Sequence, residues 1–405
     1  MVKVFRNFAS LKMLMEKKVA VIGGGISGMS FAHFCAIRGY KVTVFEKGNI
    51  GGCLQSVSFD GESYYELGGH TLTYTYTTVL DILNHYEKTG AIREKANLKF
   101  EAFTEKGFVS LLSRISIFSL LVSLPRLAFV KKDKLSLESY YGKVLGKKNY
   151  QNLFSFLFRA ILCQYPNAFP ASKLFKKRNK DKKFPKKYVL QKGVQQVLDV
   201  IRTNPNISCR EQTDVTAIKM HEGNYQVCVD DTIIMEAPIL AIACPANIAA
   251  RLLGAGFPEL SQNLQEIQQV QVETALVEVM DENIANVRKK SILGTGDTFF
   301  SAIRIPDIEK VHWCFYFPAD TYSEMEKKKI LHQVFQVDVE KIDLKVERKF
   351  QLPNFKVPNL DNVENIEKHI KGTQLFFATN YMDGLSIEDC CVRSKREAER
   401  LAGIL

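Results

Sequence analysis

The chain has 405 residues, 46% of them hydrophobic, which is enough to bury a large core and to form two or three domains. This composition excludes a disordered chain. The net charge of +11 is carried unevenly, since residues 173–187 hold nine lysines or arginines against one aspartate.

The nine cysteines indicate a reducing compartment. Their number is odd, they form no C-x-x-C pair, and they have no zinc-like spacing with the seven histidines. Residues 1–16 carry basic and apolar side chains but no long apolar run and no clear cleavage site, so we expect no secretory signal. We therefore expect a cytoplasmic protein without a metal site.

A strand, a helix and a second strand are predicted at the start of the chain. The apolar residues 19–22 lead into three glycines, and a second apolar run ends at Glu46. Gly23, Gly25 and Gly28 occupy the glycine positions of G-x-G-x-x-G, which allow a tight turn and a close approach of a pyrophosphate. A carboxylate at the position of Glu46 can accept hydrogen bonds from both hydroxyls of an adenosine ribose. The pattern predicts a dinucleotide site, with FAD as the first candidate and NAD as the second.

Residues 108–130 form the most apolar long stretch, but Arg114, Pro125 and Arg126 interrupt it, which argues against a membrane span. Two interpretations remain open. The stretch lines an apolar pocket, which we favour, or it dips into one leaflet of a membrane with basic residues at the headgroups. The basic run 173–187 is either a solvated loop or a contact to anionic lipid, an anionic partner or a substrate. No recognisable nucleic-acid module surrounds it.

The second half of the chain alternates between helices and strands. Residues 188–229 predict a short extended segment, a helix near 194–201 and two strands, and residues 238–253 predict a buried strand, a turn and a helix. Three further segments are strand-like and indicate a second sheet: 271–280, 299–304 and 311–318. A last strand at 375–378, a loop with Gly384 and a long closing helix complete the chain.

Four motifs, in this order and spacing, resemble the FAD-binding elements of the flavin amine oxidase superfamily: VAVIGGGISG, FEKGNIGGCLQSV, YELGGHTL and NYMDGLSIEDC. Within that superfamily, the protoporphyrinogen oxidases are the most similar group. The resemblance implies an α/β fold, with a Rossmann-like FAD-binding domain built from discontinuous segments, a second β-sheet substrate domain and a helical insertion. The implied domains are FAD-binding parts at 17–90, 188–250 and 368–405, a helical insertion with the substrate pocket at 91–187, and the substrate sheet at 251–367. The candidate membrane contact within the insertion comes from its apolar and basic stretches, 108–132 and 173–187.

The resemblance also implies, position by position, which residues contact a non-covalent FAD. The pyrophosphate and ribose contacts would be Gly23, Gly24, Gly25, Ile26, Ser27, Gly28, Glu46 and Lys47. The residues near the flavin ring would be Gly52, Cys53, Gly68, Gly69, His70, Thr71, Gly384, Leu385, Ser386 and Ile387. Val215 would pair with adenine through its backbone. His70 and Tyr381 are the polar side chains expected nearest to the ring, and no catalytic role is assigned to either.

The implied activity is the oxidation of a porphyrinogen-like or other lipophilic substrate, with hydride transfer to flavin N5 and with oxygen or a quinone as acceptor. Arg93, Arg159 and Arg304 are candidates to bind propionates. Two other functions stay open: a flavin amine oxidase acting on an amine or amino-acid-derived substrate, and a redox-silent flavoprotein that docks on a membrane or a partner. The chain departs from the superfamily pattern at Gln55 and Phe350, among other positions, and these departures concern the substrate more than the cofactor.

Overall fold

The computed structural model describes residues 17–280, 290–305 and 312–404. The predictions for residues 1–16 and for residue 311 lie outside the described residues. The strands are, in chain order, β1 (Lys18–Ile22), β2 (Lys41–Phe45), β3 (Ser56–Val57), β4 (Tyr65–Glu66), β5 (Leu72–Thr73), β6 (Ile92–Glu94), β7 (Lys99–Thr104), β8 (Gly107–Ser110), β9 (Lys187–Leu190), β10 (Ile207–Arg210), β11 (Ala217–His221), β12 (Asn224–Val229), β13 (Thr232–Ala237), β14 (Ile239–Ile242), β15 (Gln269–Val279), β16 (Lys290–Gly294), β17 (Ser301–Ile305), β18 (His312–Pro318), β19 (Ile342–Pro353) and β20 (Leu375–Phe377). The α-helices are α1 (Ile26–Ala36), α2 (Thr77–His85), α3 (Ile117–Ser123), α4 (Leu137–Val144), α5 (Lys147–Asn149), α6 (Ser155–Leu162), α7 (Gln196–Arg202), α8 (Ala246–Leu253), α9 (Pro258–Gln265), α10 (Glu324–Phe335), α11 (Asn359–Ile370), α12 (Asn380–Asp383) and α13 (Ile387–Ile404).

A parallel sheet in the order β10–β2–β1–β14–β20 forms the centre of the first domain. β1 has the sequence KVAVI, and its last four residues are buried, as expected of a parallel strand that is covered on both faces. Every residue of α1 is buried, and the Ser394 hydroxyl of α13 donates to the Ser27 carbonyl at 2.7 Å. The Rossmann-like prediction is confirmed, and the sheet joins strands from three separate parts of the chain.

A second sheet has the order β19–β15–β18–β17–β16–β7–β8. Its strands are antiparallel neighbours except for β16 and β7, which pair in parallel. The aromatic side chains of Trp313, Phe315 and Phe317 on β18 form a buried core with Phe335 of α10. The prediction of a helical insertion is wrong for residues 99–110, because β7 and β8 form a hairpin that extends this sheet.

The helical part of the insertion begins after β8. α5 and α6 are joined by a π-helical turn at Tyr150–Phe154, and α3 is followed by a 3₁₀ segment at Leu124–Ala128. The favoured prediction, in which residues 108–130 line an apolar pocket, is wrong for most of the stretch, since its large side chains face outward. No helix in the described ranges is both long enough and apolar enough to cross a membrane.

The second sheet holds one loop of the first domain. The Thr274 hydroxyl donates to the Leu67 carbonyl at 2.8 Å, and the Tyr316 hydroxyl donates to the Gly68 carbonyl at 2.6 Å. A Cβ on Gly68 would lie 2.0 Å from the Cys53 carbonyl oxygen. This loop is therefore fixed from both domains, and it is the loop that the sequence places against the flavin ring.

Candidate functional site

The loop between β1 and α1 contains glycines that are needed for two different reasons. Gly23 has φ +113°, and a Cβ there would lie 2.6 Å from the Ala243 carbonyl oxygen. A Cβ on Gly28 would lie 1.9 Å from the Gly23 carbonyl oxygen, so both positions need glycine for the turn itself. Gly25 differs, because a Cβ added there would have Gly52 Cα as its nearest neighbour, at an ordinary van der Waals distance of 3.6 Å. Packing within the protein therefore leaves room for a side chain at Gly25.

Helix α1 begins without a polar cap. Gly25 is its N-cap residue, no side chain accepts a hydrogen bond from its first turn, and that turn has no acidic residue. The amides of Ile26 and Ser27 are first-turn donors that lack intrahelical acceptors. Together with the helix dipole, they favour an anion such as a pyrophosphate at this end of α1. The glycine loop and the uncapped helix thus fit a dinucleotide.

Glu46 lies beside the glycine loop, at the end of β2. Its Oε2 accepts a hydrogen bond from the Gly24 amide at 2.7 Å, and its Oε1 accepts one from the Gly48 amide at 3.0 Å. Each carboxylate oxygen can accept a second hydrogen bond. The side chain is thus held in position and still has acceptor capacity for ribose hydroxyls.

The residue predicted to contact adenine, Val215, lies in a loop that precedes β11. Lys47 forms an ion pair with Asp214 at 2.9 Å, and the Thr213 amide donates to the Glu46 carbonyl at 2.9 Å. Val215 follows directly and is buried. The sequence predicts a strand around Val215, but the residue lies just before the first residue of β11. Its backbone is therefore not used by the β11–β12 ladder.

The flavin-side residues converge on the other flank of the glycine loop. Gly25 forms a β-bridge with Gly51, and the Gly69 amide donates to the Cys53 carbonyl at 3.0 Å. A Cβ on Gly69 would lie 3.2 Å from Ile387 Cδ1. Gly51 and Gly52 therefore contact Gly25, and Gly69 links Cys53 to Ile387 of α13.

His70 is a neutral imidazole held by a lysine that the sequence did not indicate. Lys95 Nζ donates to the His70 carbonyl at 2.5 Å and to Thr71 Oγ1 at 2.8 Å, and it lies 3.3 Å from His70 Nδ1. His70 Nδ1 also lies 2.8 Å from Thr71 Oγ1. Burial, and then the Lys95 charge, lower the pKa of His70 to about 3. The neutral ring of His70 is therefore held by Lys95 and Thr71 near the predicted flavin ring.

Protein stability is expected to fall on acidification in part because of His70. Between its folded pKa of about 3 and its ordinary value of 6.5, the unfolded chain binds a proton that the folded protein does not bind, so the free energy of unfolding decreases as the pH falls. Lowering the pH from 7 to 4.5 should shift the stability difference between His70→Gln and the unmodified protein by about 2–3 kcal/mol in favour of the variant. Denaturant unfolding at the two pH values measures this shift, and a constant difference would contradict it.

The N-terminus of α13 is already capped and is covered by part of the basic run. Ser386 Oγ accepts from the Asp389 amide at 3.0 Å and donates to its Oδ2 at 2.6 Å. Arg178 donates at 2.8 Å to both Ser386 Oγ and Asp389 Oδ1, and Lys176 lies 3.0 Å from Asp389 Oδ1. Burial alone would raise the pKa of Asp389, but these two cations and Ser386 hold it below its usual value. The solvated-loop interpretation is therefore wrong for this part of the run, and a cation borders the predicted flavin edge.

Tyr381 lies on α12, just before the start of α13. Its side chain is buried, and its hydroxyl has no hydrogen-bond partner among the described residues. Burial raises its pKa well above 10, so the group is a neutral phenol. Together with Gly384 and Leu385 it borders a small void.

The three arginines predicted to bind propionates are engaged elsewhere. Arg93 is exposed and donates to the Gln191 side chain. Arg159 is buried against Asp297 at 3.0 Å, and Arg304 donates to the His312 carbonyl at 3.2 Å. Each guanidinium donates hydrogen bonds to neighbouring backbone or side-chain acceptors. None of the three arginines lines the cavity of about 420 Å³ that is described next.

A cavity of about 420 Å³ lies between the end of α6 and the second sheet. It is lined by Cys163, Gln164, Tyr165, Val270, Gln271, Phe300, Pro318, Ala319, Asp320 and Asn354. Gln271 pairs across the sheet with Gln351, whose carbonyl accepts from Cys53 Sγ at 3.8 Å. The cavity therefore adjoins the loop predicted to lie under the flavin ring.

Gln164 is a polar group of this cavity that sequence reasoning missed. Its Nε2 donates to the carbonyls of Leu162 and Pro353, at 3.4 and 3.0 Å, which fixes the orientation of the amide. Its Oε1 is buried and lacks a hydrogen-bond partner among the described residues. A buried acceptor without a donor is costly. No pattern in a single sequence distinguishes this glutamine from a surface one.

Together, the first sheet and the glycine loop before α1 define a protein of Rossmann-like α/β fold with a second, separate β-sheet. A family described as "NAD(P)-binding Rossmann-like domain" matches residues 21–86. In the ranges the structure describes, no three histidine, cysteine, aspartate or glutamate side chains converge to hold a metal ion.

The chain has protoporphyrinogen oxidase homologues. It is 46% identical over 76 residues to the mitochondrial protoporphyrinogen oxidase of Nicotiana tabacum, a match that covers 18% of this chain. It spans only 15% of the tobacco protein and 10–15% of the curated relatives that it matches.

Solved structures of very different sequence share the fold over nearly the whole chain. A conjugated-linoleic-acid-producing fatty acid isomerase from P. acnes has a TM-score of 0.76 at 14% identity, and the match covers 95% of this chain and 99% of that one. The cyclohexylamine oxidase of Brevibacterium oxydans has a TM-score of 0.69 at 13% identity, covering 96% and 99%. The chain therefore shares the fold of these two enzymes.

Proposed function

We propose that this protein is an oxidoreductase that binds FAD non-covalently. The observation that carries the proposal is Gly25, which is bare where the protein itself would tolerate a side chain, at the uncapped start of α1. Glu46, Val215 and the converging loops at Cys53 and Gly69 supply the remaining contacts that a flavin dinucleotide needs. Burial raises the pKa of Cys390 to about 12, and such an unreactive thiol supports non-covalent binding.

A bound FAD supplies a hydride acceptor at N5, with oxygen or a quinone as the final acceptor. The residues of this chain then have to bind and orient the substrate and to exclude water from it. The carbonyls of Leu67 and Gly68, fixed by the second sheet, hold the flavin-side loop in place. His70 offers a neutral N–H donor, which can stabilise negative charge without losing its proton.

The proposed substrate is a porphyrinogen-like or other lipophilic molecule that carries an N–H group. A cavity of about 420 Å³ lies within the usual size of small-molecule sites, about 300–1,000 Å³. The unpartnered Gln164 Oε1 at its wall can accept from such a donor. The tobacco relative is a protoporphyrinogen oxidase, and the P. acnes structure is that of an enzyme acting on a fatty acid; both support a lipophilic substrate.

An amine substrate is the second candidate, because of the charge in the cavity. Asp320 is the charged residue of the lining, while the three candidate arginines are engaged elsewhere. Lys349 lies 2.5 Å from Asp320 and neutralises part of this charge. A carboxylate at the cavity suits an ammonium group better than a propionate, and the cyclohexylamine oxidase shares the fold.

The flavin spectrum of the purified protein tests both candidates. We expect the absorbance of bound flavin to bleach when protoporphyrinogen or coproporphyrinogen is added without oxygen, since the substrate then transfers its hydride and no acceptor restores the colour. Bleaching by amines alone would transfer the assignment to the amine oxidases. A flavin that bleaches with neither class would contradict both substrate candidates and favour a redox-silent flavoprotein.

Gln164→Leu serves as the matched variant for the cavity. It keeps the size of the side chain and removes the acceptor, so flavin content should stay unchanged while bleaching by the true substrate slows about tenfold or more. Unchanged bleaching would place the substrate outside this cavity.

A further inference from the structure

The end of α6 forms one wall of the cavity with three consecutive residues. Cys163, Gln164 and Tyr165 all line the cavity. Cys163 ends the helix in the left-handed conformation, with φ +51° and ψ +37°, which is a common way for a chain to leave a helix. Gln164 is 3% exposed, whereas Tyr165 is 67% exposed. Gln164 therefore borders the inner part of the cavity, and the Tyr165 ring borders its mouth.

The Tyr165 side chain is tied to the second sheet by a carboxylate. Its hydroxyl donates to Asp297 Oδ1 at 3.0 Å. Asp297 lies between β16 and β17, on the same segment as Phe300, which is a buried residue of the cavity wall. The hydrogen bond therefore joins the end of α6 to the second sheet at the mouth of the cavity.

Arg159 of α6 supports both partners of this hydrogen bond. Its Nη1 donates to the same Asp297 Oδ1 at 3.0 Å, and its Nη2 donates to the carbonyls of Gly294, at 3.0 Å, and Gly296. Arg159 Cζ also lies over the Tyr165 ring, 5.8 Å from its centroid. The ring is thus held by one hydrogen bond and one cation–π contact.

The support is fixed, but the ring is held weakly. Arg159 is buried, with its side chain 4% exposed, and it donates to three acceptors. The Asp297 side chain is 81% exposed, and contacts to an exposed carboxylate contribute little because water competes for it. Tyr165 lies outside the helices and strands, so its side chain can leave Asp297 without breaking either kind of element.

We propose that Tyr165 is the gate of the cavity, that Asp297 latches it, and that the gate selects by size the molecules that enter. With the latch closed, the ring narrows the mouth. With the latch released, the ring turns away from the second sheet and the mouth widens. The gate does not depend on what the cavity binds. Only one consequence rests on the proposed function: a porphyrinogen, which is wider than an alkylamine, enters past the released ring.

Cys163 reports on the gate without flavin, substrate or any assay of activity. It lines the cavity and is 8% exposed, and burial raises its pKa to about 12, so its thiol reacts slowly with a maleimide in the closed protein. Cys209 is half-buried on β10 of the first sheet and serves as a reference in the same molecule. Peptide mass spectrometry after timed labelling gives the rate at each thiol.

Removing only the Tyr165 hydroxyl tests the latch. Tyr165→Phe keeps the ring and the Arg159–Asp297 ion pair. Labelling of Cys163 by the bulky N-pyrenylmaleimide should become about three- to fivefold faster, because its rate follows the population of the open gate. Labelling by the small N-methylmaleimide should gain less, since it also passes the closed ring. Cys209 should react at an unchanged rate with both reagents.

Two further variants separate the gate from other effects. Tyr165→Ala removes the ring itself and should speed the bulky reagent at least about tenfold, because the mouth then stays open. The matched control, Tyr322→Phe, removes the hydroxyl of a half-buried tyrosine that packs on Phe317. It should leave both thiols reacting as in the unmodified protein.

Three results would overturn the gate. One is unchanged labelling of Cys163 in both Tyr165 variants. Another is an equal rise at Cys163 and Cys209, which would report a general loss of stability. The third is an equal gain for the two reagents in Tyr165→Phe, since the ring would then not select by size. The expected pattern in a protein that binds no flavin would support the gate and refute the proposed function alone.

Discussion

Replacing Gly25 with alanine is expected to remove bound flavin from a protein that still folds. The added Cβ meets only Gly52 Cα, at 3.6 Å, and the backbone, with φ −78° and ψ −176°, suits any residue. The methyl group therefore occupies the space through which a pyrophosphate approaches α1. We expect the Kd for FAD to rise at least about 30-fold, or about 2 kcal/mol, as measured by fluorescence titration of flavin-free protein, while its Tm changes by less than about 3 °C.

Two other glycines serve as controls for this result. Gly28→Ala should destabilise the whole domain, since its Cβ would lie 1.9 Å from the Gly23 carbonyl oxygen. Gly90→Ala should change neither flavin binding nor Tm, because nothing lies within 4 Å of its Cβ. A Gly25→Ala protein that retains the full flavin content would contradict a pyrophosphate site at α1.

Replacing Lys327 with methionine should lower the free energy of unfolding by about 3–5 kcal/mol. Lys327 Nζ lies 2.5 Å from Glu273 Oε1 and 2.6 Å from Glu347 Oε1, and the side chains of Lys327 and Glu273 are 4% and 5% exposed. Removing the lysine leaves the Glu273 carboxylate buried without its counter-charge. Denaturant unfolding of the purified variant measures the loss.

The same ion pair also stabilises the candidate site. Glu273 precedes Thr274, whose hydroxyl holds the Leu67 carbonyl, so Lys327→Met should lower flavin content as well. Adding Glu273→Gln should restore most of the stability, because the uncompensated charge is then removed. The adjacent Lys328→Met breaks only a surface pair with Glu324 and should cost less than about 0.5 kcal/mol. Equal losses for the two lysines would refute the buried-pair argument.

The parts of this protein that depend on short stretches of chain were predictable from the sequence. The turn at Gly23 and the start of α1 follow from backbone geometry within a few residues. β14 and α8 were likewise predicted within residues 238–253, and α13 was predicted as the closing helix, because apolar periodicity is a local property. The position of Glu46 beside the loop follows from the same unit, since parallel strands bring their carboxyl ends to one edge.

Contacts between distant segments were not predictable in this way. Lys95 binds the carbonyl of His70, and Arg178 binds Ser386 across more than 200 residues of chain. Nothing in the spacing of these residues indicates the pairing. The expected roles of Arg159 and Arg304 failed for the same reason, since the nearest acceptor of a buried arginine is decided by how the two domains pack.

The sequence by itself determined the cofactor-binding unit, because a tight turn, an uncapped helix start and a carboxylate at a strand end are all encoded within thirty residues. Only the tertiary structure decided which surface faces outward. An apolar stretch such as residues 112–129 has the same composition whether it fills a pocket or lies exposed. Its direction follows from Asn149 and Gly146, which receive the serines of α3 and turn the apolar face away from the core.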